Sequence, residues 1–162
     1  MAVDLDTDLT ARGEELERWG REFFERAVNQ HDLSIIDERV AETFACSNTT
    51  LWAVQGVQGT YAAYERLHTA FPDVEAKILD VFVKPNPVLG DKINVWWSFT
   101  GTHTGPLNLE GDRGTIEATG RAVTVHTSSM LELQDWKLTS SRVISDMMTQ
   151  LGVQPPPVDG SR

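Results

Sequence analysis

The residues with the clearest chemical potential lie near the C-terminus, in Lys137 to Gly152, KLTSSRVISDMMTQLG. A strand-like alternation runs into a single carboxylate, Asp146, and then into a short apolar, helix-like segment stopped by Gly152. An acid where a sheet ends against an apolar cap can carry a proton, because burial shifts a carboxyl group toward neutral pH. The same residue can equally cap the helix that begins at Met147. The local residues leave both readings open.

Other chemistries lack their residues. There is no Gly-rich phosphate loop, no Ser nucleophile elbow and no paired-His helix for zinc. His31, His68, His103 and His126 are scattered, with no partner at metal-ligand spacing, so neither a metal nor another cofactor is expected. Glu14, Glu15 and Glu17 read as a solvated helix face. Cys46 is the single cysteine; it excludes an intrachain disulfide and reads as a small buried apolar residue.

A chain of 162 residues with 40% apolar residues can fill one core. Its net charge of −10, without a Lys/Arg cluster, argues against nucleic acid and anionic membrane surfaces as partners. No apolar run reaches the roughly 18 residues of a membrane span. The acidic N-terminus does not read as a secretory signal, so a cytoplasmic location is expected.

The elements that must position Asp146 follow from periodicity. Residues 1–9 are expected to fray, 10–153 to form one domain, and 154–162 to be a flexible tail. Leu16, Trp19, Phe23 and Ala27 predict a first amphipathic helix from Thr10. A second helix from Asp32 carries Ile35, Ile36, Val40 and Phe44. A third, capped by Thr60, carries Tyr61, Tyr64, Leu67, His68 and Phe71 and stops at Pro72. Between them, Leu51 to Val54 predicts a short strand. From Val74 the period becomes two. Strands are expected over 74–84, 92–104, 121–133 and 137–145, with a tight Gln134-Asp135 turn and a loop over 105–120. On the second of these, Ile93, Val95, Trp97, Phe99, Gly101 and His103 share one face. Helices followed by adjacent strands define an α+β class: a curved antiparallel sheet with about three N-terminal helices on its concave face.

Four stretches together resemble the SnoaL-like polyketide cyclases, members of the nuclear transport factor two-like cone fold. They are Ala70-Phe71-Pro72-Asp73, Phe99-Thr100-Gly101-Thr102-His103-Thr104-Gly105, Ala118-Thr119-Gly120-Arg121-Ala122-Val123-Thr124-Val125, and Gln150-Leu151-Gly152. The resemblance covers about residues 15 to 153. It implies a general acid/base Asp at the end of the last strand. Counted forward from Lys137 that position is Asp146; counted back from Gln150-Leu151-Gly152 it falls near Val143. The forward count is preferred, because Val143 has no proton to give. The chain departs from the family in the longer loop after His103 and in Arg142, where an aromatic residue is common.

Parity places Leu138, Ser140, Arg142, Ile144 and Asp146 on one strand face, expected to line the cone. Asp146 would remove a proton from a methylene flanked by carbonyls, and the enolate would attack a second carbonyl of the same molecule. His103 is expected to donate to an enolate or carbonyl oxygen, and Arg142 to stabilise charge. Trp52, Trp97, Phe24 and Phe99 would contact a flat substrate, with Ser129 as a hydrogen-bond donor. The resemblance thus implies a cofactor-independent cyclase acting on a hydrophobic small molecule. Alternatives are an epoxide-opening cyclase or hydrolase, a hydroxylase-like enzyme, or a non-catalytic binding or dimerisation module. Asn94, Trp96, Ser98 and Thr100 form an outer face on which a homodimer is expected.

Overall fold

The computed structural model describes residues 5–48, 53–109 and 114–153. Its N-terminal segment must bury one apolar stripe, and does so against a sheet. Helix α1, Leu5–Phe24, buries Leu16, Trp19, Phe23 and Phe24, and continues through a π-helical turn, Glu25–Asn29, that buries Ala27 and Val28. Gly20 lets α1 approach the sheet closely: a Cβ there would lie 3.2 Å from Ile93 and 3.3 Å from Val95. The π turn delivers Asn29 to strand β3, where its side-chain amide donates to the Ala76 carbonyl at 3.0 Å and accepts the Ala76 N–H at 2.6 Å.

Helix α2, Ser34–Arg39, ends earlier than its apolar spacing predicts, and Val40–Asn48 is strand β1. The expected helical Val40 and Phe44 are therefore strand residues. Strand β2, Ala53–Gln55, follows within the expected short strand. Helix α3, Gly56–Ala70, begins before the expected cap, so Thr60 lies inside it and its hydroxyl donates to the Gly56 carbonyl at 2.8 Å.

Strands β3 (Glu75–Lys84), β4 (Asp91–Thr102), β7 (Ala122–Gln134) and β8 (Lys137–Ser145) match the period-two segments closely. Strands β5 (Leu107–Asn108) and β6 (Thr115–Ile116) form a small hairpin inside the expected loop. The β7–β8 turn falls on Asp135 and Trp136, both at positive φ, one residue beyond the expected pair. Helix α4, Met147–Leu151, closes the described chain, with Gly152 left-handed at its end.

The main sheet runs β2-β1-β8-β7-β4-β3. All its pairs are antiparallel except β1 with β8, which the hairpin pattern of the sequence does not reveal. This six-stranded sheet curves around α1 and α3, and the expected α+β cone is the fold observed. Among the described residues no helix is long and apolar enough to cross a membrane.

One irregularity governs the site. Glu132 pairs with Ser140, but Leu133 pairs with Leu138, so Thr139 is an extra residue in β8. A bulge of one residue sends every later side chain to the opposite face. Leu138, Ser141, Val143 and Ser145 point into the cone, while Arg142 and Ile144 point out.

Candidate functional site

The concave side of the sheet lines a partly open cavity of about 140 Å³. Helices α1 and α3 supply Phe23, Phe24, Ala63, Tyr64 and Leu67; β4 supplies Trp97 and Phe99; and β7 and β8 supply Thr127, Ser129, Leu131, Ser141, Val143 and Ser145. The aromatic wall is fixed by packing. Trp97 lies 4.9 Å from Phe24 and 5.9 Å from Phe99, ring centre to ring centre, in tilted arrangements. Phe23 stacks on Trp19 at 5.3 Å and meets the edge of Tyr64 at 6.2 Å.

Polar groups occupy a strip across the sheet. Ladder pairing puts Trp97, Thr127 and Ser145 on one rung of β4, β7 and β8, and Val95, Ser129 and Val143 on the next. The Trp97 indole donates to Ser129 Oγ at 3.0 Å, in a buried position. Ser145 Oγ accepts the Met147 N–H at 3.3 Å. Burial pushes the Tyr64 phenol up and also raises the Cys46 thiol, against which a hydrogen bond from Ser141 acts in the opposite direction. Both groups are therefore neutral at physiological pH, and no carboxylate, imidazole, ammonium or guanidinium lines this cavity among the described residues.

The structure thus brings together Phe24, Trp97, Phe99 and Ser129 as expected, and separates the other candidates. Asp146 does not lie in the lining, although its neighbours Ser145 and Met147 do. Its carboxylate accepts the His126 main-chain N–H at 2.7 Å, lies 3.7 Å from His126 Nδ1 and accepts from Gln150 Nε2 at 3.3 Å, with its side chain 38% exposed. The expected shared face of Leu138 through Asp146 is overturned by the bulge at Thr139. Asp146 also starts α4 without a side-chain cap bond to it.

Arg142 lies on the outer face, in a surface groove with Phe82, Asn94 and Met130. It does not face the cavity, for the same reason. His103 keeps the inner face but lies outside the cavity lining. It is fully buried 5.3 Å from Phe71, and its Nδ1 accepts the Thr119 N–H at 3.2 Å. Burial pushes its pKa down. Trp52 lies outside the described residues.

Sequence reasoning missed Thr127, Ser141, Ser145, Tyr64 and Cys46 as lining residues. A signal existed for Thr127: with Ser129 it interrupts the apolar parity Val123, Val125, Leu131 and Leu133 of β7, all buried. Ser141 and Ser145 had no such signal, because their parity is set by the bulge. Among the described residues no group of three or more His, Cys, Asp or Glu could hold a metal ion.

A curved sheet folded around a partly open, largely apolar cavity defines a cone fold. The sequence model of the SnoaL-like polyketide cyclases matches residues 20–152, and the chain belongs to that family. No curated protein matches the sequence. Among solved structures, TsrD from Streptomyces laurentii is similar with a TM-score of 0.67 and 20% identity, covering 86% of this chain and 96% of that one. A SnoaL-like protein from Jannaschia sp. CCS1 gives a TM-score of 0.65 at 20% identity, covering 86% of this chain and 95% of that one. An M. tuberculosis LEH-like epoxide hydrolase gives 0.60 at 15% identity, covering 87% of this chain and 85% of that one. At these identities the structural likenesses establish the fold alone.

Proposed function

We propose that the protein is a cofactor-independent enzyme that folds a hydrophobic, uncharged ketide-type molecule in its cone and closes a ring by intramolecular aldol chemistry. The observation that carries this reading is the cavity itself: aromatic walls around an uncharged strip of hydroxyls, in a chain of the SnoaL-like family. Rigid walls hold a flexible chain near its reactive geometry, which removes much of the entropic barrier. A charged ligand would lose its hydration without gaining a counter-charge.

Proton transfer is assigned to Asp146, the carboxylate between the lining residues Ser145 and Met147. To act, it must release the His126 N–H and turn toward the cavity. His103 and Arg142 have no contact with the cavity and are assigned no catalytic step. A homodimer is part of the proposal, formed through the outer sheet face, where Phe82, Trp96, Met130 and Ile144 are exposed.

A second reading has its own support. The Asp146 carboxylate is engaged away from the cavity, which suits a binding module without turnover. The readings separate when a polyketone ester and an epoxy-alcohol are incubated with the protein and with Asp146→Asn. An isomeric product that the variant fails to form supports ring closure by Asp146. A product that gains water indicates epoxide hydrolysis. Ligand binding without any product, in both proteins, establishes the binding module.

A further inference from the structure

The cavity contains a donor couple whose purpose the packing does not explain. Ser129 is buried on the inner face of β7, and its Oγ accepts the Trp97 indole N–H at 3.0 Å. A hydroxyl carries one proton and two lone pairs. With the indole proton aimed at its oxygen, the Ser129 proton must rotate away from Trp97, and among the described residues it has no acceptor. The rotation leaves it to the cavity that both residues line.

Two further observations point the same way. Thr127 is buried on the same face, two residues along β7, and Tyr64 lines the helical wall of the same cavity. A buried donor without an acceptor costs roughly 1–3 kcal/mol on mutational scales, so the Ser129 proton biases the chamber toward an acceptor. Trp97 itself cannot turn away easily, since Phe24 and Phe99 pack against its ring.

We infer that Trp97 and Ser129 form an acceptor-binding site in which Ser129 donates to a carbonyl oxygen of an uncharged ligand. This rests on the cone-binding reading above and adds the functional group that the cone recognises. Trp97 acts through Ser129: donation into the hydroxyl oxygen polarises its O–H and fixes its direction. The arrangement favours a ketone over the matching hydrocarbon, and excludes a carboxylate because nothing charged stands beside it.

The test uses two small probes matched in shape, acetophenone and ethylbenzene. The cavity is close in size to engineered apolar cavities of about 150 Å³ that bind benzene. Calorimetry should show the ketone binding about tenfold more tightly than the hydrocarbon, the effect of one hydrogen bond. The bound carbonyl stretch should move to lower frequency. In the Ser129→Ala/Trp97→Phe double variant, which leaves no unpaired indole N–H, the preference for the ketone and the infrared shift should both vanish. Equal affinities, or an unshifted carbonyl in the wild-type protein, would overturn the donor assignment and leave the cone reading standing. Binding of neither probe would overturn both. The wild-type infrared measurement decides the question even where the double variant fails to fold.

Discussion

Asp146 accepts the main-chain N–H of His126 at 2.7 Å, joining the exit of β8 to the middle of β7. The bond sits beside the β7–β8 ladder rather than within it, so it holds α4 against the sheet. Removing the acceptor with Asp146→Ala should cost about 1–3 kcal/mol, the expense of a lost hydrogen bond to a charged group. Thermal denaturation measures this. Asp146→Asn keeps an oxygen for the His126 N–H and should lose much less stability. If Asp146 also carries the proton, the Asn variant should lose about 10²–10⁴-fold in turnover with little change in ligand affinity.

Asp91 is 1% exposed and paired with Arg12 at 2.6 Å, and it also accepts the Asn86 N–H at 2.8 Å. Burial pushes its carboxyl up, but the bonds from Arg12 and Asn86 outweigh that and hold it below its ordinary value. A depressed carboxyl stabilises the fold above its unfolded pKa near ~4, and that contribution is lost as pH falls through the lower folded value. Urea midpoints should therefore drop from neutral pH toward acid. Arg12→Ala should cost about 3 kcal/mol at neutral pH by stranding a buried charge. The gap between variant and wild type should narrow in acid, where Asp91 is protonated in both.

The bulge at Thr139 makes a sharper prediction. Deleting Thr139 would remove the extra residue and leave Leu138 opposite Leu133 and Ser140 opposite Glu132, as they pair now. Ser141, Val143 and Ser145 would stay in the cone, and Arg142 and Ile144 outside it. A loss of no more than about 1 kcal/mol is expected. Circular dichroism during denaturation tests it; a loss above about 4 kcal/mol, as expected if the Arg142 guanidinium were turned into the core, would refute the assigned register.

The proposed homodimer depends on a face where Trp96 is 49% and Ile144 62% exposed. Trp96→Glu would place a carboxylate in that interface. Sedimentation equilibrium should give a dimer for the parent chain and a monomer for the variant. A monomeric parent at tens of micromolar would remove this part of the proposal.

The fold was legible because its long strands bury one face each, and period two survives along β3, β4 and β7. It failed at Val40 and Phe44 for a plain reason. A spacing of four puts two residues on one face of a helix and also on one face of a strand. The family motifs were visible because their residues bond to one another where β4, α3 and the start of β7 meet. Asp73 accepts the Thr102 N–H at 2.7 Å and the Thr102 hydroxyl at 2.8 Å. His103 exchanges main-chain bonds with Arg121 and Gly120 at 2.9 Å each, and a Cβ on Gly105 would overlap the Thr69 carbonyl. These residues report architecture, whereas the cavity is lined, apart from Phe99, by residues outside the motifs. The site residues on β8 were illegible beyond Thr139, because a bulge is fixed by pairing with a distant strand and leaves no mark in the local alternation.

The amide of Asn29 has a consequence for how the molecule meets its own kind. Strand β3 is the last in its sheet, and such a margin offers free N–H and C=O groups to any passing strand. Asn29 occupies both groups of Ala76, so another chain cannot extend the sheet there without first expelling it. The π turn that closes α1 thereby covers this margin at Ala76, and the proposed pairing of two copies is through the broad outer face instead.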